Sequence, residues 1–355
     1  MTVENLIRPE IRDLQPYETA KQDRGLVRLN ANEAPWPGDG SAEEGLNRYP
    51  EIRPVELHAR LAAHYRVSAD MVLATRGSSE AIDLLIRAFC RAGIDSIVTS
   101  PPTFSMYRVY ADIQAARTIA APLRAEDDFA LDTAAVIGAC KSHTKLIFVC
   151  SPNNPTGALV PLARIRELAD ARAGQSLVVV DEAYAEYSEA PSAAGLLHAY
   201  ENVVVLRTFS KAHSLAGARC GAVLASAKVI RLLNVILAPY ALATPVVECV
   251  LRSLRPENLQ RTASAVRRVL QERKRVTEAL RQCPDVIRVW PSRSNFLLVQ
   301  FADLEAAKGR LLANRILVRE LGHEPVLRDC VRISIGKPRD NDMLLAALGS
   351  VAESA

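Results

Sequence analysis

From about Ser68 the chain alternates two hydrophobic rhythms. Between Ser79 and Phe89, the residues Ile82, Leu85, Ile86 and Phe89 recur at the i, i+3, i+4, i+7 spacing of one helical face. Asp83 and Arg87 add an i, i+4 pair of opposite charge to that helix. A second helical pattern covers about 161–173. Between such stretches lie short, nearly continuous apolar runs at 96–100, 145–150, 176–181, 202–207 and 221–225. Strands without a polar face must be covered on both sides. The pattern therefore predicts an α/β fold, with a mostly parallel central sheet between layers of helices.

After Pro245 the texture changes. Residues 246–282 read as a long helical region rich in Arg and Glu, and strand-like segments follow at 286–290, 295–301, 316–318 and 331–335. This predicts a smaller C-terminal α+β domain. The first thirty residues are polar and irregular and read as an arm. The expected division is an arm at 1–30, a large domain at 31–245 and a small domain at 246–355.

Composition narrows the class. The chain has 355 residues, of which 49% are hydrophobic and 24% charged, which excludes a disordered or fibrous chain. Lys plus Arg is 44 and Asp plus Glu is 40; the resulting +4 is spread along the chain, so charge gives no reason to expect nucleic acid. The longest uncharged stretch, 232–247, contains Asn234, Pro239 and Pro245 and is shorter than the ~20 apolar residues of a membrane span. The N-terminus has no apolar core of a signal peptide. Seven cysteines form no C-x-x-C pair and predict reduced thiols in a soluble, cytoplasmic protein. The histidines show no metal-ligand spacing, and no metal is expected.

Four segments carry the candidate chemistry, each at the end of an expected strand, where open α/β sheets place their ligand sites. Residues 76–80 (RGSSE) open a helix, whose first N–H groups attract an anion; Ser78 or Ser79 also suits a plain helix cap. Residues 150–157 (CSPNNPTG) form a rigid turn, with Asn153 and Asn154 either as turn residues or as amide donors. In residues 181–184 (DEAY), Asp181 ends a hydrophobic strand, as a carboxylate at the sheet edge or a helix cap. Lys211 follows another apolar strand, where desolvation lowers an amine pKa and favours nucleophilic attack. A surface lysine reaching into water is the plainer alternative. Ser210 and Arg219 nearby suit a phosphate.

One chemistry uses all four. A lysine amine, an acid, a neutral amide and a phosphate cup describe a site for pyridoxal phosphate. Lys211 is then the catalytic residue that carries the cofactor, and Asp181 pairs with the pyridine nitrogen. Asn154 donates to the 3′ oxygen with Tyr184 beside it, while Ser78, Ser79, Ser210 and Arg219 hold the phosphate. His213, two residues past the lysine, reads as a helix-start residue. Lys211 is better placed to shuttle the proton, being already at the reacting carbon.

The motifs SPNNPTG (151–157), DEAY (181–184) and SKAHSLAGARCG (210–221) resemble those of the fold type I aminotransferases. LNANE (29–33), RYPE (48–51), RGSSEAIDLLIRAFC (76–90), PPTFSMY (101–107), APYALATPV (238–246) and CVRISIG (330–336) make the chain similar to the histidinol-phosphate aminotransferase subfamily, in order from about residue 10 to 340. The resemblance implies a homodimer in which Tyr49 reaches the other subunit's cofactor phosphate. It implies Phe104 on the cofactor ring, where the subfamily often has tyrosine, so stacking is kept and a hydroxyl lost. Tyr17 from the arm would help close the substrate site, to which Asn32 would also belong. Arg319 and Arg332 would bind the substrate's anionic end, although an arginine in an alternating strand such as 331–335 also serves as a solvated face. The implied reaction moves the amino group between L-histidinol phosphate and 2-oxoglutarate, giving imidazole-acetol phosphate and L-glutamate, in histidine biosynthesis. An aromatic amino-acid aminotransferase and a phosphothreonine decarboxylase share the cofactor motifs. A non-catalytic cofactor-binding regulator is the alternative from another class, against which the intact Lys211, Asp181 and Asn154 argue.

Overall fold

Seven strands form the central sheet of this computed structural model, which describes residues 3–15, 22, 26–38, 45–322 and 324–349. They are β1 (Val72–Thr75), β2 (Ser96–Thr99), β3 (Arg117–Ala120), β4 (Thr144–Cys150), β5 (Leu177–Asp181), β6 (Val203–Thr208) and β7 (Gly221–Ala225). Their order is β1-β7-β6-β5-β4-β2-β3. The run from β3 to β6 is parallel, and β7 is antiparallel to both its neighbours. The period of two along a strand explains why the runs are apolar throughout. Leu146, Val179 and Leu206 pack on one face with Leu84 and Leu85, while Ile147, Val178 and Val205 pack on the other with Ile165 and Leu168. Strand β3 was not foreseen: it is the sheet edge, its Arg117 and Ala120 exposed, so it lacks the apolar signature of the inner strands.

The helices on this sheet are α1 (Pro9–Arg12), α2 (Val55–Tyr65), α3 (Gly77–Phe89), α4 (Met106–Ile113), α5 (Thr133–Ala139), α6 (Leu162–Ala171), α7 (Ala227–Ile236) and α8 (Thr244–Ser253). Within the stretch read as an arm, Val3, Leu6, Ile7 and Ile11 are buried in the core on the α3 side. The Arg8 amide and guanidinium there bond the carbonyls of Ala88 and Arg87. Among the described residues no helix is long and apolar enough to cross a membrane.

The rest of the chain folds around a second, antiparallel sheet. Its elements are α9 (Pro256–Arg281), β8 (Val286–Val289), β9 (Phe296–Phe301), α10 (Leu304–Ala313), β10 (Arg319–Glu320), β11 (Cys330–Ser334) and α11 (Pro338–Ala347), with strand order β10-β11-β9-β8. Two expectations are corrected here. The helical region 246–282 is two helices, because Pro256 opens α9 and forces Arg255 into an extended conformation (ψ 146°). The strand expected at 316–318 begins at Arg319 instead. Leu317 is 87% exposed, and only Arg319 and Glu320 pair with β11.

Candidate active site

A cleft of about 440 Å³ opens at the C-terminal ends of β4, β5 and β6, with β10 and β11 forming its far wall. Asp181, the last residue of β5, stands on its floor and is 2% exposed. Its carboxylate accepts from the Tyr107 hydroxyl (2.8 Å) and the Ala183 N–H (3.2 Å). Burial pushes the Asp181 pKa up; those two donors and the positive charge of Lys211 oppose the shift without cancelling it. Tyr107 is fully buried and stacks on Phe148 at 4.6 Å. The neighbouring Glu182 faces away, where it accepts from Arg207 Nη1 (2.6 Å), the Ser192 hydroxyl and the Ala193 N–H. Arg207 is pinned on its other side by Glu186 at 2.6 Å. Successive residues at a strand end point in opposite directions, so of the two adjacent acids only Asp181 is left for a ligand.

The turn after β4 separates its two amides in the same way. Asn153 is structural: it donates to the Pro102 carbonyl and Thr156 hydroxyl (both 2.9 Å) and accepts from Thr103 (2.8 Å). Asn154 reaches the cleft, where Nδ2 donates to the Tyr184 hydroxyl at 3.4 Å and Oδ1 accepts from Arg332 Nη1.

Lys211 follows β6 on a turn, with Nζ 5.4 Å from the centre of the Tyr184 ring. Its side chain is exposed and opens onto the cleft. Burial lowers its pKa, Arg332 and Arg219 lower it further, and Asp181 opposes them. His213 is corrected: no helix starts there. It lies in a turn, 7% exposed, with its ring 4.6 Å from Phe209 and 5.6 Å from His64.

The anion cup is built from the start of α3 and the loop before β7. Arg76 holds the cap position of α3, and neither the Ser78 nor the Ser79 hydroxyl has a hydrogen-bond partner among the described residues. Both therefore face the cleft uncommitted. Arg219, in the left-handed region at φ 53°, donates to Ser210 Oγ at 3.3 Å. Gly221 makes the approach possible, since a Cβ there would lie 2.7 Å from the Arg207 carbonyl oxygen and 2.8 Å from the Ser78 nitrogen. Phe104 lines the cleft edge-on to Tyr107.

Arg319 and Arg332 line the opposite wall as directly paired residues of β10 and β11. Arg332 lies 5.4 Å from the centre of the Phe296 ring. Burial and the neighbouring Arg319 lower its pKa, against Tyr184.

The structure thus brings Ser78, Ser79, Phe104, Asn154, Asp181, Tyr184, Ser210, Lys211, Arg219, Arg319 and Arg332 to one cleft. Tyr49 and Asn32 do not line it within this chain. Tyr49 is half-exposed and stacks on Tyr240 at 4.6 Å, and Asn32 is exposed at φ 53°. Tyr17 lies outside the described residues. Tyr107, Cys150 and Thr103 are cleft or floor residues that the sequence reading assigned no role. The one signal for Tyr107 was its place three residues after Phe104 at a helix start.

The profile of aminotransferase class I and II matches residues 27–348. The chain belongs to that family. It is 46% identical over 349 residues to a histidinol-phosphate aminotransferase of Stenotrophomonas maltophilia, covering 97% of this chain and 96% of the relative. A histidinol-phosphate aminotransferase of Xylella fastidiosa is 44% identical over 356 residues, covering 99% and 97%. Among solved structures, the histidinol-phosphate aminotransferase of Sinorhizobium meliloti in complex with pyridoxal-5′-phosphate superposes with a TM-score of 0.77 at 25% identity, covering 86% of this chain and 84% of that one. The L-threonine-O-3-phosphate decarboxylase of Porphyromonas gingivalis shares the fold, with a TM-score of 0.74 at 22% identity over 87% and 92%. The fold of this aminotransferase is that of the fold type I transferases: an α/β domain on a mostly parallel sheet and a smaller domain on an antiparallel one.

Proposed function

We propose that the chain transfers the amino group between L-histidinol phosphate and 2-oxoglutarate with pyridoxal phosphate as cofactor, as a step of histidine biosynthesis in the cytoplasm. One observation carries the reading. A continuous line of contacts, Lys211 to Tyr184 to Asn154 to Arg332, joins the reactive amine to an arginine pair that, among the described residues, forms no ion pair with a carboxylate.

The donor set fits the cofactor. Ser78, Ser79, Ser210 and Arg219 would hold its phosphate, Asp181 its pyridine nitrogen, Asn154 and Tyr184 its 3′ oxygen, and Phe104 its ring. Tyr49 would join the phosphate from a second copy of the chain. Bound there, pyridoxal phosphate supplies a carbonyl carbon that takes the amino group and a ring that withdraws electrons from the substrate's α carbon. The buried Asp181, whose carboxylate accepts from Tyr107, would pair with the ring nitrogen and keep it protonated. Lys211, its pKa already lowered, would take the proton from the substrate's α carbon and deliver it to the cofactor's C4′ carbon, on the far side of the shared nitrogen. Arg332 and Arg319 bind the phosphate of one substrate and a carboxylate of the other, since a planar guanidinium accommodates either anion. Tyr17 and Asn32 would close the substrate side.

A single half-reaction tests this. Holoprotein without oxoacid is mixed with L-histidinol phosphate or L-phenylalanine and followed by absorbance. Rapid conversion to the pyridoxamine form by histidinol phosphate alone supports the reading. Conversion mainly by phenylalanine would move the enzyme to aromatic amino acids, and release of CO₂ from phosphothreonine would move it to decarboxylation.

A further inference from the structure

Glu33 lies outside the cleft and has no part in the roles above, yet its side chain retains only 3% of its accessible surface. Its two oxygens gather three partners from both sides of it along the chain. Oε1 accepts from the Tyr49 backbone N–H at 2.8 Å and from the Arg28 guanidinium, and Oε2 accepts from Arg48 Nη1 at 2.9 Å. Burial alone would push its pKa up. The Tyr49 N–H, Arg48 and Arg28 outweigh burial, and the carboxyl titrates below the usual glutamate range.

Besides the clasp, the segment is held by polar contacts, the Asn47 amide donating to the Ala34 carbonyl at 2.8 Å and the Gln22 amide to the Pro50 carbonyl at 3.0 Å, and not by apolar packing. Leu26, Val27, Leu29 and Trp36 are 68%, 86%, 90% and 79% exposed, so they anchor nothing in this chain's core. Tyr49 itself points outward, half-exposed, with its ring on Tyr240. An ionic clasp that closes on the backbone of one outward-facing tyrosine is a device for aiming that side chain.

We infer that Glu33 is a positioning residue for the neighbouring subunit's site: by holding the Tyr49 backbone between Arg28 and Arg48, it presents the phenol to the cofactor phosphate bound by a second copy of the chain. The inference rests on the reading that Tyr49 acts across a dimer, and the test separates the two.

Differently tagged chains give purified heterodimers in which one chain carries Glu33→Gln and the other Lys211→Ala. The only site with a lysine then lies on the Glu33→Gln chain and receives its Tyr49 from the chain whose Glu33 is intact. Two quantities are read: the dissociation constant of pyridoxal phosphate at the lysine-bearing site, and turnover per dimer. The Glu33→Gln homodimer should hold the cofactor about tenfold more weakly than wild type. The heterodimer should recover wild-type affinity and half the wild-type turnover. The Tyr49→Ala/Lys211→Ala heterodimer is the control and should recover in the same way. Recovery in the control without recovery in the Glu33→Gln heterodimer would mean that Glu33 serves its own chain and overturns the inference. No recovery in the control would remove Tyr49 from the neighbouring site, and the inference with it. If Glu33→Gln gives no soluble dimer, Glu33→Asp, which keeps the charge but shortens the reach, takes its place in the same comparison.

Discussion

Arg319 and Arg332 face each other directly across the antiparallel pair β10 and β11, and among the described residues neither makes an ion pair with a carboxylate. Like charges opposite one another in a sheet destabilise it. The wall therefore stores a demand for an anion, at the end of the cleft reached from Lys211 through Tyr184 and Asn154. Replacing Arg332 by glutamine should raise KM for histidinol phosphate ~100-fold, about 3 kcal/mol for a charge-assisted bidentate contact. Arg319, more exposed, should cost less. Steady-state kinetics with inhibition by inorganic phosphate as a second readout checks both: inhibition should weaken in parallel with KM.

Lys211 sets a pH dependence in the cofactor-free protein. Its folded pKa lies below the ordinary 10.5 because of burial, Arg332 and Arg219. The ammonium, partly desolvated and faced by Arg332 and Arg219, thus destabilises the fold in full below the folded pKa, and the penalty disappears as pH rises from there to 10.5. Cofactor-free Lys211→Met should gain stability over the wild type at neutral pH, and the gain should shrink as pH climbs through that window. Urea unfolding of both proteins over a pH series measures it. A gap independent of pH would contradict the assigned environment.

Tyr107 donates to the Asp181 carboxylate and opposes the rise that burial imposes on its pKa. In Tyr107→Phe the carboxylate loses a 2.8 Å donor while remaining buried, so its pKa, already raised, moves further up. On acidification the ionised form is then lost at a higher pH. Cofactor affinity and kcat/KM should both fall off at a higher pH than in the wild type, with a stability loss of about 1–2 kcal/mol. A pH–rate profile with an unmoved acid limb would remove Tyr107 from this role.

Gly221 is where a single methyl group should disturb the phosphate cup. A Cβ at 2.7–2.8 Å would meet only backbone: the Arg207 carbonyl oxygen, Gly77 C and Ser78 N. Nothing there is a flexible side-chain tip, so β7 and the start of α3 must separate. Gly221→Ala should cost about 1–3 kcal/mol in stability. It should also weaken pyridoxal phosphate binding more than it changes turnover at saturating cofactor. Thermal unfolding and a cofactor titration on the same protein check the two together.

What local pattern determines was readable from the chain alone. The inner strands β4 to β7 announce themselves as apolar runs because both their faces are buried, and Asp181 and Lys211 stand out as charged residues at or just beyond the ends of such runs. The chemistry-bearing motifs lie within short stretches of sequence, so their residue types and order needed no coordinates. Other features depend on contacts between segments distant in sequence, which no local rhythm encodes. The edge strand β3 has no apolar signature, and β10 pairs over only two residues, so neither could be placed from its own sequence. Asn153 and Asn154 are chemically identical neighbours. Only the packing of Thr103, Thr156 and Pro102 around the first leaves the second to face Arg332. The same holds for Glu33: its sequence neighbourhood reads as polar loop, and its role emerges only when Arg28, Arg48 and the Tyr49 amide, drawn from both sides of it along the chain, converge on one carboxylate.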